Sequence, residues 1–190
     1  MLVIENNIRY DVNSITKTAT VIGFEKETTE IYIPDKVQNC IVTMIGHHAF
    51  ANNKELKHIE IADSVTKIRH DAFFRCEKLY SVKITKSSNP TSGLWVGANA
   101  FFRCENLLHF IVVRDIPLVC CENAFKGCIR LYNIQCVLET LHSGAFENCF
   151  KINNLVFGDN AVWRTTTFKG CPDLKNLRFL GEIDKNLSKT

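Results

Sequence analysis

Along most of the chain, apolar and polar positions recur in the same short pattern. The stretch Leu56-Lys57-His58-Ile59-Glu60-Ile61 ends on a period of two, which sends Ile59 and Ile61 to one face and His58 and Glu60 to the other. The same alternation returns at Val82/Ile84, Phe110/Val112, Ile134/Cys136, Leu155/Phe157 and Leu177/Phe179. Ahead of each alternating pair, an aromatic is followed three positions later by Cys or Asn, and three further on by a large apolar residue. These copies read Ala49-Phe50…Asn53…Leu56, Ala72-Phe73…Cys76…Leu79, Ala100-Phe101…Cys104…Leu107, Ala124-Phe125…Cys128…Leu131, Ala145-Phe146…Cys149…Ile152 and Thr167-Phe168…Cys171…Leu174. The anchor phenylalanines lie 23, 28, 24, 21 and 22 residues apart. Spacings of three to four suit a short helical turn, so each copy predicts a strand, a connector and such a turn.

One copy cannot bury its apolar side alone, whereas stacked copies pair their strands in parallel and share one core. Connector residues such as Val65 and Ile68 belong to that interior. The motif Ile-Gly-x-x-Ala-Phe-x-x-Asn/Cys-x-x-Leu-x-x-Ile-x-Ile, as in Ile45 to Ile61, resembles the BspA-like leucine-rich repeats, and the resemblance runs from about Ile31 to Phe179. Ile31-Tyr32-Ile33-Pro34, followed by Val37 and Val42 to Gly46, is similar to half of one such repeat. The resemblance implies a non-catalytic interaction module, often one for surface adhesion. The expected fold is an α/β repeat solenoid: a leucine-rich-repeat horseshoe with a concave parallel sheet, short helical turns on the convex side and an N-terminal β-hairpin cap. Residues 1–30 supply the cap through Ile8 to Val12 and Ala19 to Phe24, 31–180 the solenoid (a half repeat plus six copies), and 181–190 a polar tail.

Composition narrows the function classes. The 190 residues are 46% hydrophobic, which excludes a wholly disordered chain. A net charge of +3 is too balanced to predict a nucleic-acid binder. No apolar run approaches the ~18 residues of a membrane span, and the first residues lack a basic region and apolar core of the secretory kind. The chain as written is therefore expected inside the cell. Nine cysteines is an odd count, but Cys76, Cys104, Cys128, Cys149 and Cys171 share one repeat position, and Cys136 falls at an inward strand position. They read as small buried hydrophobes and free thiols in a reducing compartment. With no C-x-x-C pair and no H-E-x-x-H, no metal or cofactor is expected. Nucleotide-binding glycine loops and the G-x-S-x-G elbow are absent, and Ser64-Val65-Thr66-Lys67 is a chance match to S-x-x-K. The chain is read as having no catalytic residues.

Outward strand positions can be set out in columns. The first is His58, Ser81, His109, Asn133, Asn154 and Asn176; the second is Glu60, Lys83, Ile111, Gln135, Val156 and Arg178; the third is Ala62, Thr85, Val113, Val137, Gly158 and Leu180. Apolar residues on a face meant for water mark an interface. The partner-binding surface is therefore expected at His109, Ile111, Val113, Asn133, Gln135, Val137, Asn154, Val156, Asn176 and Arg178, flanked by Tyr80, Leu108 and Tyr132. A slip of one residue in register would instead make these residues core. The partner is a protein, and the chain is a monomer or a subunit of a hetero-assembly. The alternatives are a permanent structural subunit and a fragment of a surface adhesin. An insertion, Thr85 to Gly93, lengthens the second copy; Trp95 after it is read as tucked into the core rather than as a binding aromatic.

Overall fold

A computed structural model describes residues 1–89, 93–113 and 116–180. The predicted tail 181–190, including Asn186-Leu187-Ser188, and the insertion residues 90–92 lie outside the described residues. The chain opens with β1 (Leu2–Glu5), β2 (Ile8–Asn13) and β3 (Thr18–Phe24), an antiparallel meander. Asn13 Oδ1 accepts from the amides of Ile15 and Thr16 and shapes the second turn. Beyond the meander the chain coils through two sheets. One holds β4 (Glu30–Ile33), β7 (His58–Ala62), β9 (Ser81–Thr85), β11 (His109–Val112) and β13 (Asn133–Gln135), all parallel. The other continues from β3 through β6 (Cys40–Ile45), β8 (Lys67–Ile68), β10 (Leu94–Val96), β12 (Pro117–Cys120), β14 (Val137–Leu141), β15 (Asn154–Trp163) and β16 (Asn176–Phe179), with β5 (Lys36–Val37) hairpinned onto β6.

That second sheet replaces part of what the sequence predicted. The connectors at Lys67–Ile68, Leu94–Val96 and Pro117–Cys120 are strands. Trp95 belongs to one of them, and it alternates outward between buried Leu94 and Val96, half-buried with its ring edge against His70 (5.6 Å), instead of entering the core. In the last copies the two sheets fuse. Only Cys136 separates β13 from β14, and β15 runs from positions that continue the five-stranded sheet straight into second-sheet positions.

The predicted helical turns are also corrected: none of the described residues is helical. Each Ala-Phe-x-x-Cys stretch is a tight turn with a left-handed residue at either end: His48 and Asn52, Asp71 and Arg75, Asn99 and Arg103, Asn123 and Gly127, Gly144 and Asn148, with φ between 53° and 77°. A helix cannot propagate through such residues. The amides then split their bonds. Ala49, Ala51 and Asn53 donate three residues back within the turn, while His48, Phe50 and Asn52 donate to His70, Ala72 and Phe74 of the next layer. A continuing helix would return each amide to a carbonyl of its own segment, whereas here half of them tie layer to layer.

Stacked turns bring the anchor phenylalanines into one column. Phe24 of the meander, then Phe50, Phe73, Phe101, Phe125, Phe146 and Phe168, stack with centroids 5.9, 5.1, 4.9, 5.0, 5.1 and 5.7 Å apart. Beside it runs a column of thiols. Cys76, Cys104, Cys128, Cys149 and Cys171 each donate Sγ–H to the carbonyl of the anchor phenylalanine one layer back, at 3.0 to 3.1 Å. The first copy has Asn53, whose Oδ1 accepts from the amides of Glu55 and Leu56. The inward strand residues from Ile59 to Phe157 are buried as the alternation required. Leu177, at an inward position by sequence, is 44% exposed, because no further layer among the described residues stacks on β16.

At the insertion, Ser87 donates its amide and hydroxyl to buried Asp63 Oδ1 (2.8 and 2.6 Å), while Ser88 and Asn89 donate to Asp35. These bonds tie the lengthened loop back to two earlier layers.

Truncating Phe101 to Ala removes a fully buried ring between two neighbours and is expected to cost about 3–5 kcal/mol in urea unfolding. Phe168→Ala, half-buried at the end of the column, should cost clearly less. Equal losses at the two positions would contradict the stack as a cooperative spine.

Candidate concave binding face

The five-stranded sheet sets its outward side chains in rows. Strand register aligns Glu30, His58, Ser81, His109 and Asn133 in one row, and Tyr32, Glu60, Lys83, Ile111 and Gln135 in the next. On the fused end, Asn154 aligns with Asn176 and Val156 with Arg178. Parallel strands lie about 4.8 Å apart, so neighbours along a row are within side-chain reach. His58 Nδ1 lies 2.8 Å from Ser81 Oγ, Asn133 Nδ2 lies 3.3 Å from His109 Nδ1, and Asn176 Nδ2 donates to Asn154 Oδ1 at 2.9 Å. Tyr80, at the lip of the sheet, stands edge-on to both His58 (5.6 Å) and His109 (5.4 Å). Lys83 Nζ reaches Glu60 Oε1 at 3.2 Å.

Nine of the ten partner-binding candidates keep exposure on this surface or its fused continuation. Gln135, Asn154, Asn176 and Arg178 are exposed, Val113 is 44% exposed, and His109, Ile111, Asn133 and Val156 are half-buried. Val137 is the exception and a correction. It opens β14, where the fused sheets crowd it against Gly158 and Val156, and only 8% of it remains accessible. The third column is split: Ala62 and Gly158 are buried as well, while Val113 and Leu180 stay exposed. Tyr132, at the lip with Tyr80 and Leu108, is 51% exposed.

Two residues of this face were missed by reading the columns from the first full copy. Glu30 and Tyr32 of β4 extend both rows by one strand. Their signal was present in the alternation Glu30-Ile31-Tyr32-Ile33, where Ile31 and Ile33 are buried. With His58, Glu60, Ser81 and Lys83 they line a shallow depression of about 530 Å³.

The thiols offer little chemistry. Burial pushes the pKa of the Cys104, Cys120 and Cys149 thiols well above the ordinary thiol range and that of Cys136 up to about 12. A reactive cysteine needs the opposite, a stabilised thiolate. All nine cysteines are free, and only Cys121 and Cys171 are half-buried rather than buried. Among the described residues no group of three or more His, Cys, Asp or Glu is placed to hold a metal ion. No helix there is long and apolar enough to cross a membrane.

A parallel coil of strands and tight turns around a phenylalanine column, with open side-chain rows on one sheet, defines a leucine-rich-repeat solenoid. A family model described as "BspA type Leucine rich repeat region (6 copies)" matches residues 20–118 and 95–187, and the chain belongs to that family. Solved structures share the fold. A leucine rich cell surface protein from Faecalibacterium prausnitzii superposes with a TM-score of 0.68 at 21% identity, over 96% of this chain and 55% of its own. The T. pallidum Leucine Rich Repeat protein gives 0.72 at 18%, over 94% of this chain and 82% of its own. The pneumococcal vaccine antigen PcpA gives 0.54 at 16%, over 94% of this chain and half of its own. The chain thus spans little more than half the length of the first of these. No curated protein matches it significantly.

The buried thiols make stability depend on pH in a definite direction. Their folded values lie above the ordinary value near 8.5, so their contribution is complete below that pH. It is lost as pH rises, because the unfolded chain releases thiol protons that the folded chain keeps. Unfolding free energy should be flat in this respect to about pH 8 and then fall, by up to about 1.4 kcal/mol per pH unit for each buried thiol. Urea titrations at pH 7.5 and 9.5 under reducing conditions check this; equal stability at the two would contradict it.

Proposed function

We propose that the chain is a non-catalytic protein-binding module whose concave face recognises a protein partner. The observation that carries this reading is the mixed surface on and beside the β11 and β13 strands. Val113, half-buried Ile111 and exposed Tyr132 lie beside the amides of Gln135 and Asn133, on a face where repetition alone asks only for solvated side chains. Apolar and aromatic residues ringed by hydrogen-bonding groups are the composition of interface centres. Protonated, buried thiols support the absence of covalent catalysis.

A role in surface adhesion is the second reading. It is favoured by the fold shared with a protein described as a cell surface protein and one described as a vaccine antigen. The nine unpaired cysteines support a reducing, intracellular setting instead. Labelling of intact cells with a membrane-impermeant reagent separates the two settings.

Val113→Glu and Gln135→Lys put charge at the centre of the face without touching the core. Each is expected to weaken capture of the natural partner from native extract roughly tenfold or more. The melting temperature should move by less than about 2 °C. Undiminished capture by both variants would refute the concave placement.

A further inference from the structure

We propose that the N-terminal end of the concave face, at Glu30, Tyr32 and Glu60, is a subsite for a basic side chain of the partner, arginine or lysine; this rests on the reading of the face as a recognition surface. Tyr32 is 57% exposed with its ring on the open side of the sheet. Glu60 is its direct neighbour on β7, and Glu30 lies two residues before it on the same face. Cross-strand partners stand about 5 Å apart and same-face neighbours about 7 Å apart. A cation over the Tyr32 ring therefore falls within reach of both carboxylates, and the ring itself attracts it.

The charge balance selects the sign of the ligand. Two carboxylates and one ammonium line the depression, and the ammonium of Lys83 is already drawn to Glu60. The Glu30 carboxylate has no ion pair among the described residues. An acidic group entering here would meet Glu30 at close range, and the one ammonium is already paired with Glu60. An apolar side chain would cover the ring and strip water from Glu30 without replacing it. A guanidinium does neither, since its flat fork can lie on the ring while donating to a carboxylate. His58, held at Nδ1 by Ser81, forms the wall toward the rest of the face, so the subsite adjoins the His109–Asn133 row.

The test uses the full chain, ¹⁵N-labelled, titrated with N-acetyl-arginine amide and followed by amide chemical shifts. N-acetyl-citrulline amide serves as the neutral isostere and N-acetyl-glutamate amide as the anion. Saturable shifts centred on Glu30–Ile33 and His58–Ala62 are expected with arginine. Binding should be roughly three- to fivefold weaker for citrulline, and also for arginine with the exposed-site variants Glu30→Gln or Tyr32→Leu. Equal shifts with citrulline, preference for glutamate, shifts centred elsewhere or indifference to both substitutions would each overturn the subsite. If arginine fails here while Val113→Glu and Gln135→Lys still weaken partner capture, the subsite falls and the concave-face reading stands. Arginine binding combined with partner capture indifferent to those two variants supports the subsite and sinks the wider reading.

Discussion

The stacking distance of the anchor phenylalanines governs the rest of the molecule. Rings spaced about 5 Å apart match the lateral spacing of paired strands. One copy of the turn therefore advances along the solenoid by the same step as one strand, and neither has to bend to follow the other. The 28-residue interval between Phe73 and Phe101 shows how firmly the step is held. The extra length is expelled into a loop fastened on Asp63 and Asp35, while the two rings remain 4.9 Å apart.

The cysteine column follows from the same geometry. A carbonyl on each anchor phenylalanine already accepts one amide from its own turn and faces the next layer with a lone pair to spare. The position opposite it is buried and small, so it suits a group that is mostly apolar and weakly donating. A thiol meets both demands. Five of the nine cysteines are thus set by layer number and not by pairing. The same burial that makes the thiols good filler keeps them protonated and chemically quiet.

The solenoid was legible in the sequence because its two periodicities are strict and repeated. Ile59/Ile61 through Leu155/Phe157 were assigned inward by alternation, and the structure buries all of them. Two features were not legible. The turn was read as helical because a three-residue spacing is shared by helices and tight turns; what distinguishes them is the left-handed residue at His48, Asn52 and their counterparts, which arginine occupies at Arg75 and Arg103 without any compositional mark. The second sheet was hidden because its strands from β6 to β14 are only two to six residues long, too short to show a period. Val137 was misplaced for a related reason: the repeats shorten there to 21 and 22 residues, and the strand that should leave the concave face runs on into the second sheet. Glu30 and Tyr32 were written in the alternation of the half repeat but fell before the first full copy from which the face was counted.

The central functional claim is that recognition happens on the strands and not on the turns. A photo-reactive benzoylphenylalanine placed at Gln135, and in a separate protein at Phe102 on the turn surface, tests it in native extract. A discrete cross-linked protein species is expected from position 135 and none from position 102. A specific adduct from position 102 alone would contradict it.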